Sequence, residues 1–399
     1  MTKAQPKGNA AERKRRVKKR LAVLLTCLLQ AALLLFCVVH LTYMRRAYTR
    51  LSGFYALPKN TADVAFVGDS VTFSSFMPME AFQNDGIAAA NYCTNMMFEN
   101  ALRYSLADVQ RTQRPKVILV DIAPFLSEHW AGNESWSEQD RDLYISYNLD
   151  SRNYTPDRLS LVYEITRDRK GSPADYLYYF FDLSRCHDNP PDLARWNNRE
   201  KDITRGYGYL VRNGMRQFSP EELCPDDGSI TPLKDQEQRY LDQLLETAKT
   251  MEAQVVFYTA PVYYRESSQV GRKNYVKNYI EQKGFPFVDF SGDKEAIGLD
   301  QAEDFWSPDH FDSLGALKVT KHFSEYLKTH FTLPDRREDP AYADWAADLP
   351  AWQTQLQDWT KTDRRAQAPV APALTADQRP ASSGPLPLRS DSQTPAFMI

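Results

Sequence analysis

The sequence predicts an α/β protein with a flavodoxin-like, three-layer arrangement: helices cover both faces of a parallel sheet, and one transmembrane helix precedes the domain. Short strand-like runs recur with helical patterns between them, at residues 64–67, 87–92, 117–120, 255–259 and 287–290. Runs that are apolar throughout are typical of parallel strands buried on both faces. The helical patterns have apolar faces, as in residues 236–251. A long uncharged stretch near the N-terminus predicts the membrane helix.

That stretch, residues 21–44, contains no charged residue and consists mainly of Leu, Val, Ala and Phe. It is long enough to cross a hydrocarbon core about 30 Å thick. The last residues, Thr42-Tyr43-Met44, do not form the Ala-x-Ala-like site at which signal peptides are cleaved, so we expect a retained signal anchor. Residues 1–20 carry nine positive charges against Glu12 alone. The positive-inside rule therefore predicts a cytoplasmic N-terminus and an extracytoplasmic domain.

The charge distribution argues against a nucleic-acid partner. Residues 1–20 have a net charge of +8, so that residues 45–399 carry −11 of the overall −3. A nucleic-acid-binding domain would present a basic surface instead. Neither Cys-x-x-Cys nor His-Glu-x-x-His spacing occurs, so we predict neither a metal site nor a cofactor. Whether Cys186 and Cys224 form a disulfide remains open at the level of sequence.

The chain divides by composition into a domain, an insertion and a tail. We expect the extracytoplasmic domain to cover residues 45–335. Within it, residues 126–233 break the strand–helix alternation and are rich in aromatic residues, which predicts a loop-rich insertion suited to act as a lid or docking surface. Residues 336–363 form a peripheral segment. Residues 364–399 are rich in Pro, Ala, Ser and Gln and are predicted to be disordered.

A serine follows the first predicted strand directly, in Gly68-Asp69-Ser70. A strand-to-helix turn holds such a hydroxyl at the carboxyl edge of a parallel sheet, where open α/β sheets place their chemistry. A serine nucleophile needs a base within hydrogen-bond reach. Only His310 lies in a loop between a strand and a helix. The other five histidines lie in the membrane helix (His40), in irregular sequence (His129, His187) or on the predicted helix at residues 313–330 (His322, His330).

The two motifs together resemble those of the SGNH (GDSL-like) hydrolase superfamily. Its nucleophile lies in an early Gly-Asp-Ser and its base in a late Asp-x-x-His. The form found here, Pro308-Asp309-His310-Phe311-Asp312 followed by Gly315-Ala316, is more similar to the membrane-anchored branch of teichoic acid D-alanyl transfer proteins and polysaccharide O-acyltransferases. The resemblance extends over residues 61–330 and is sharp only at the two motifs.

The resemblance implies that Ser70 is the nucleophile and His310 the base, and three acids are candidates for orienting His310. The superfamily's usual acid position, three residues before the histidine, is Ser307 here. Asp309, Asp304 and Asp312 are the alternatives. Any of the three could compensate; Asp309, which adjoins His310, is taken as the candidate, and Asp312 has a competing role as a helix N-cap.

The residues expected to stabilise an oxyanion also depart from the superfamily, which supplies a Gly and an Asn after its second and third strands. Thr94 and Asn95 follow the second predicted strand here and are the candidate donors. The backbone N–H groups of the turn at Gly68, Asp69 and Ser70 are further candidates. Asp69 has an alternative role in ordering its own turn.

These expectations combine into a membrane-anchored acyltransferase or esterase that acts on a cell-envelope glycan, by O-acetylation or D-alanylation. The resemblance implies a polytopic membrane O-acyltransferase as a partner. The substrate is a polysaccharide or a teichoic acid, and the negative exterior favours a neutral glycan. The alternatives are a non-catalytic glycan-binding or scaffold subunit, supported by the departures from the superfamily pattern, and a stand-alone esterase for small esters.

Overall fold

The computed structural model describes residues 8–46, 51–150, 152–181, 184, 206–210 and 223–366. Its centre is one parallel sheet of five strands: β1 (Val64–Gly68), β2 (Ala89–Cys93), β3 (Val117–Asp121), β4 (Gln254–Thr259) and β5 (Phe287–Asp289). The strands lie in the order β2-β1-β3-β4-β5, which is that of flavodoxin-like sheets. The predicted α/β class and the five predicted strands are confirmed.

Helices cover both faces of this sheet. Every residue of β1, β2 and β3 is buried, and because side chains alternate between faces along a strand, both faces must be covered. The described helices within the domain are α2 (Leu51–Ala56), α3 (Ser70–Ser75), α4 (Pro78–Asp85), α5 (Glu99–Thr112), α6 (Ala123–Leu126), α7 (Glu138–Leu149), α8 (Pro156–Asp168), α9 (Pro173–Phe180), α10 (Asp235–Lys249), α11 (Ser267–Gln282), α12 (Lys294–Ile297), α13 (Ser313–His330) and α14 (Ala343–Ala366). Helix α5 packs against α10, and α13 packs against α3 and α4.

A long helix, α1 (Gly8–Arg46), precedes the domain. Within its segment Glu12–Cys37, an 18-residue window has a mean hydropathy of 2.2, and none of that window is buried. Among the described residues, this is the one helix that is long and apolar enough to cross a membrane.

Helix α2 follows α1 after four residues and is fixed to the domain by a buried polar network. The Tyr55 hydroxyl donates to Asp108 at 2.9 Å and lies 2.8 Å from the Tyr92 hydroxyl. Arg152, which is 1% exposed, lies 3.5 Å from the same carboxylate. A buried arginine requires such partners to offset its desolvation. The network joins the first helix of the domain to β2, α5 and the start of the insertion.

The described part of the predicted insertion, residues 126–233, is mainly helical. Helices α7, α8 and α9 each begin at a serine or threonine N-cap, and α8 packs against α5. Residues 185–205 and 211–222 lie outside the described residues, and Cys186 is among them. Cys224 is a free thiol whose Sγ lies 3.2 Å from the carbonyl of Arg265.

The predicted peripheral segment, residues 336–363, forms most of α14 and contributes to the core. Trp345 and Trp352 on this helix are both 0% exposed. Asp363 near its end accepts hydrogen bonds from the backbone and hydroxyl of Ser313, the first residue of α13. The helix continues to Ala366, and residues 367–399 of the predicted tail lie outside the described residues.

Candidate active site

The turn between β1 and α3 holds Ser70 at the carboxyl edge of the sheet. Asp69 is the N-cap of α3, and its Oδ1 accepts a hydrogen bond from the Val71 N–H at 2.9 Å. Gly68 allows the close packing behind this turn, because a Cβ there would lie 2.1 Å from Thr72 Oγ1 and 2.9 Å from Asp121 Cβ. The Asp69 cap and the close packing at Gly68 together fix the start of α3, and so they also fix the position of Ser70, its first residue.

The second motif lies on a short antiparallel hairpin formed by β6 (Phe305–Ser307) and β7 (His310–Phe311). Ser307 pairs with His310 across it. The hairpin is attached to the loop after β4, because Tyr263 N–H donates to the Pro308 carbonyl at 2.8 Å. On its other side Asp312 caps α13, with Oδ1 accepting from the N–H groups of Leu314 and Gly315.

The hairpin and the turn bring together Ser70 and His310, which are 240 residues apart in sequence. The His310 Nε2 atom lies 2.8 Å from Ser70 Oγ. On the other side of the ring, Nδ1 lies 2.9 Å from Asp309 Oδ1. This order of nucleophile, base and orienting carboxylate is the geometry of a serine–histidine–aspartate triad. Ser70 is 8% exposed, and the side chain of His310 is 12% exposed.

Asp309, rather than Asp304 or Asp312, faces the imidazole ring. Desolvation acts to raise the pKa of Asp309, but the adjacent His310 ring and hydrogen bonds from His310 and Ser307 outweigh it and hold the pKa below its usual range. Asp304 pairs with Lys318 Nζ at 2.6 Å. Burial raises the pKa of Asp312 to about 7 at its capping position. Each of these two acids thus has a structural partner away from the ring.

Ser307 occupies the position at which an acid was expected, and it contacts both members of the acid–base pair. Its hydroxyl donates to Asp309 Oδ1 at 2.6 Å and lies 2.9 Å from His310 Nδ1. A hydroxyl can serve two such partners because it carries one donor and two acceptor positions.

Ser70, Asp309 and His310 open into a cavity of about 350 Å³. Three aromatic side chains, Tyr263, Tyr264 and Trp306, form part of its wall. The Trp306 ring packs edge-on against the His310 ring at a centroid distance of 5.7 Å. The remaining walls come from the loops after β3 and β4 and the start of α11. Polar and charged side chains, Arg265, Glu266 and Gln269 among them, line the cavity beside these aromatic rings.

Of the candidate oxyanion donors, Thr94 is engaged in hydrogen bonds to other parts of the chain. The Thr94 hydroxyl donates to the Tyr147 carbonyl at 2.7 Å, and the Thr94 N–H donates to the Gly68 carbonyl at 3.4 Å. The described walls of the cavity include neither Thr94 nor Asn95. The backbone N–H of Ser70 remains suitable, because the first N–H groups of a helix have no acceptor within it.

Two residues that the sequence analysis did not select also lie at this edge. Asp121, the last residue of β3, accepts from Thr72 Oγ1 at 3.0 Å, and burial together with the nearby charge of Asp69 raises its pKa to about 8. His129 lines the cavity, and its Nδ1 lies 3.4 Å from Asp69 Oδ2. Asp121 ends β3, so the rule that chemistry collects at carboxyl edges could have indicated it. His129 follows α6 and reaches the cavity only through the folding of its loop.

The arrangement has the parts needed for covalent acyl transfer: a hydroxyl in contact with an imidazole, a carboxylate behind that ring, and an adjacent cavity. No group of three or more His, Cys, Asp or Glu side chains in the described part of the chain is placed to hold a metal ion. No protein-family model and no curated protein matches the chain. The class of activity must therefore be argued from the site itself.

Proposed function

We propose that this protein is a membrane-anchored acyltransferase or esterase of the SGNH type, acting outside the cytoplasm on a cell-envelope glycan by O-acetylation or D-alanylation. The observation that carries the proposal is the chain of contacts from Ser70 Oγ to His310 Nε2 at 2.8 Å and from His310 Nδ1 to Asp309 at 2.9 Å. Such a chain activates a hydroxyl that would otherwise be a weak nucleophile.

In the first half-reaction, Ser70 Oγ attacks the carbonyl carbon of an ester or thioester donor while its proton passes to His310 Nε2. The tetrahedral intermediate then breaks its bond to the donor's leaving group, which departs with the proton from His310. The Ser70 N–H supports the oxyanion, and one such donor contributes roughly 2.7 to 4 kcal/mol to lowering the barrier. The product is an acyl-enzyme on Ser70.

In the second half-reaction, an acceptor hydroxyl attacks the acyl carbon and gives its proton to His310. The bond between the acyl carbon and Ser70 Oγ breaks, and Ser70 recovers its proton from His310. A glycan hydroxyl as acceptor gives transfer, and water gives hydrolysis. The aromatic walls of the cavity suit a sugar ring, since aromatic faces pack against its apolar C–H surface.

The N-terminal helix supports the membrane location and the choice of an envelope polymer. Tethering raises the effective concentration of the enzyme near a membrane-bound donor or an envelope glycan. The charge of −11 on residues 45–399 offers no attraction to an anionic teichoic acid and favours a neutral glycan. A polytopic membrane O-acyltransferase that exports the acyl group is the proposed partner, on the strength of the resemblance alone.

The proposal is tested by intact-mass analysis of the full-length protein in detergent after incubation with a fluorophosphonate. One adduct is expected on the wild type and on Ser160→Ala, a control at an exposed serine of α8. No adduct is expected on Ser70→Ala or His310→Ala. An unlabelled wild type, or a labelled Ser70→Ala, would contradict the proposal.

A non-catalytic scaffold subunit is the second candidate. The Thr94 hydroxyl contact with the Tyr147 carbonyl favours it, because one expected oxyanion donor is directed away from the site. In that case the protein would bind the glycan and remain unlabelled, with envelope acylation unaffected by Ser70→Ala.

A further inference from the structure

A second histidine–carboxylate pair lies beside the nucleophile. The His129 side chain is 10% exposed and lines the same cavity as Ser70 and His310. Its Nδ1 is buried without a hydrogen-bond partner and lies 3.4 Å from Asp69 Oδ2. Nothing in the acyl-transfer steps described above uses this ring.

The partner of Nδ1 determines what the other ring nitrogen can do. Asp69 Oδ1 is occupied by the Val71 N–H, so Oδ2 is the oxygen left to face His129. A carboxylate only accepts hydrogen bonds, and therefore the nitrogen facing it carries the proton. In the neutral ring the other nitrogen, Nε2, then has a free lone pair. His129 is thus prepared to accept a hydrogen bond from a ligand.

The loop that carries His129 is fixed at several points. The His129 N–H donates to the Pro124 carbonyl at 3.0 Å, and its carbonyl accepts from the Glu99 N–H at 2.8 Å. Glu128, the preceding residue, has a φ of 53° and contacts Arg272 at 3.3 Å. A left-handed non-glycine residue persists only where its surroundings hold it in place. The ring is therefore positioned before any ligand arrives.

We propose that His129 and Asp69 form a subsite for a second hydroxyl of the acceptor, so that the site selects a polyhydroxylated acceptor such as a sugar. This inference rests on the proposed function. The reacting hydroxyl has one proton, which goes to His310, so it has none to offer His129. The hydrogen bond to His129 must come from a neighbouring hydroxyl, and a cavity of about 350 Å³ brings both histidines within reach of one sugar-sized acceptor.

The test measures how acyl groups are divided between two soluble acceptors. Full-length protein in detergent is acylated with p-nitrophenyl acetate in the presence of glycerol, which has adjacent hydroxyls, or 1-propanol, which has one. Acetylated products and free acetate are quantified by mass spectrometry, and the p-nitrophenol burst measures acylation separately. The variants are His129→Phe, which removes both ring nitrogens, and His129→Gln, which keeps a hydrogen-bond acceptor.

The wild type is expected to transfer to glycerol in preference to 1-propanol. In His129→Phe this preference falls about fivefold, the effect of one lost hydrogen bond, while the burst amplitude and transfer to 1-propanol stay within about twofold of the wild type. His129→Gln recovers part of the preference. His330→Phe, at an exposed histidine of α13, keeps the full preference.

An unchanged preference in both His129 variants overturns the subsite, as does an equal loss of transfer to both alcohols. If His129→Phe does not fold, His129→Gln decides alone, and the unaltered wild-type preference in that variant overturns the subsite. A wild type without a p-nitrophenol burst overturns the proposed function itself. The two failures are therefore distinguishable.

Discussion

The Ser307 hydroxyl donates a hydrogen bond of 2.6 Å to the Asp309 carboxylate, which lies in the two-residue loop of the hairpin that carries His310. The same hydroxyl lies 2.9 Å from His310 Nδ1. The position three residues before the histidine is therefore occupied by a side chain that holds the acid against the ring. The carboxylate that contacts the ring belongs to Asp309, the residue before His310, and the Ser307 hydroxyl contacts both groups.

The position of Ser307 predicts that a carboxylate placed there can partly replace the one lost in Asp309→Ala. Asp309→Ala should slow fluorophosphonate labelling of Ser70 by roughly 10³-fold, because the ring loses the carboxylate that fixes its tautomer and stabilises its cation. Ser307→Asp in the Asp309→Ala background should recover at least about tenfold, since the new carboxylate starts from a position already 2.9 Å from Nδ1. Labelling rates of the wild type, the single variants and the double variant provide the measurement. A double variant as slow as Asp309→Ala would show that the two positions are not interchangeable.

A second prediction concerns the close packing at Gly68. Gly68→Ala places a Cβ 2.1 Å from Thr72 Oγ1 and 2.9 Å from Asp121 Cβ, so the turn must shift. We expect a loss of about 1–3 kcal/mol in the free energy of unfolding, measured by denaturant titration. Gly292→Ala is the matched control, because an added Cβ there meets nothing within 4 Å. Equal stabilities of the two variants would show that the turn accommodates the methyl group.

A third prediction is the pH dependence contributed by Asp121. Its pKa in the folded protein is raised to about 8 from an ordinary value of 3.8, by burial and by the charge of Asp69. Between these values the folded protein keeps a proton that the unfolded chain releases, so stability falls as pH rises. Asp121→Asn mimics the protonated acid and removes this dependence.

The melting temperature of the wild type is therefore expected to fall relative to that of Asp121→Asn between about pH 5 and about pH 8. Thermal unfolding of both proteins across this range measures the difference. Parallel curves would mean that Asp121 is ionised in the folded state throughout.

The fourth prediction is the orientation of the chain in the membrane. A cysteine introduced by Glu295→Cys, at an exposed site of α12, should react with a membrane-impermeant maleimide in intact cells. One introduced by Lys14→Cys in the basic segment should react only after permeabilisation, because positively charged flanks remain in the cytoplasm. The opposite pattern of labelling would place the domain inside the cell.

Much of the sheet could be predicted because each strand is indicated by a short stretch of consecutive residues. An apolar run such as residues 117–120 has few alternatives to a buried parallel strand, and α13 begins and ends where its pattern and its Asp312 cap predict. The contact between Ser70 and His310 also followed from a general rule, since both lie in segments that lead from a strand to a helix.

The other parts of the site depend on how distant segments pack, which no local pattern encodes. His129 stands in irregular sequence, and only the folding of its loop back to Pro124 and Glu99 brings the ring to the cavity. The choice among Asp304, Asp309 and Asp312 depends on a hairpin of two-residue and three-residue strands, too short to leave a periodic pattern. Likewise, Trp345 and Trp352 belong to the core because α14 packs against α13 and α4.

The hairpin carries three of the four residues in the chain of contacts at the site, namely Ser307, Asp309 and His310. Asp309, Ser307 and His310 lie within four consecutive residues of this hairpin. Ser70 is held separately, at the turn between β1 and α3. The contact of 2.8 Å between Ser70 and His310 joins these two parts of the chain, and β7 also packs against α3. A change in the position of the hairpin would alter the contact between His310 and Ser70, while the contacts among Ser307, Asp309 and His310 would remain in place.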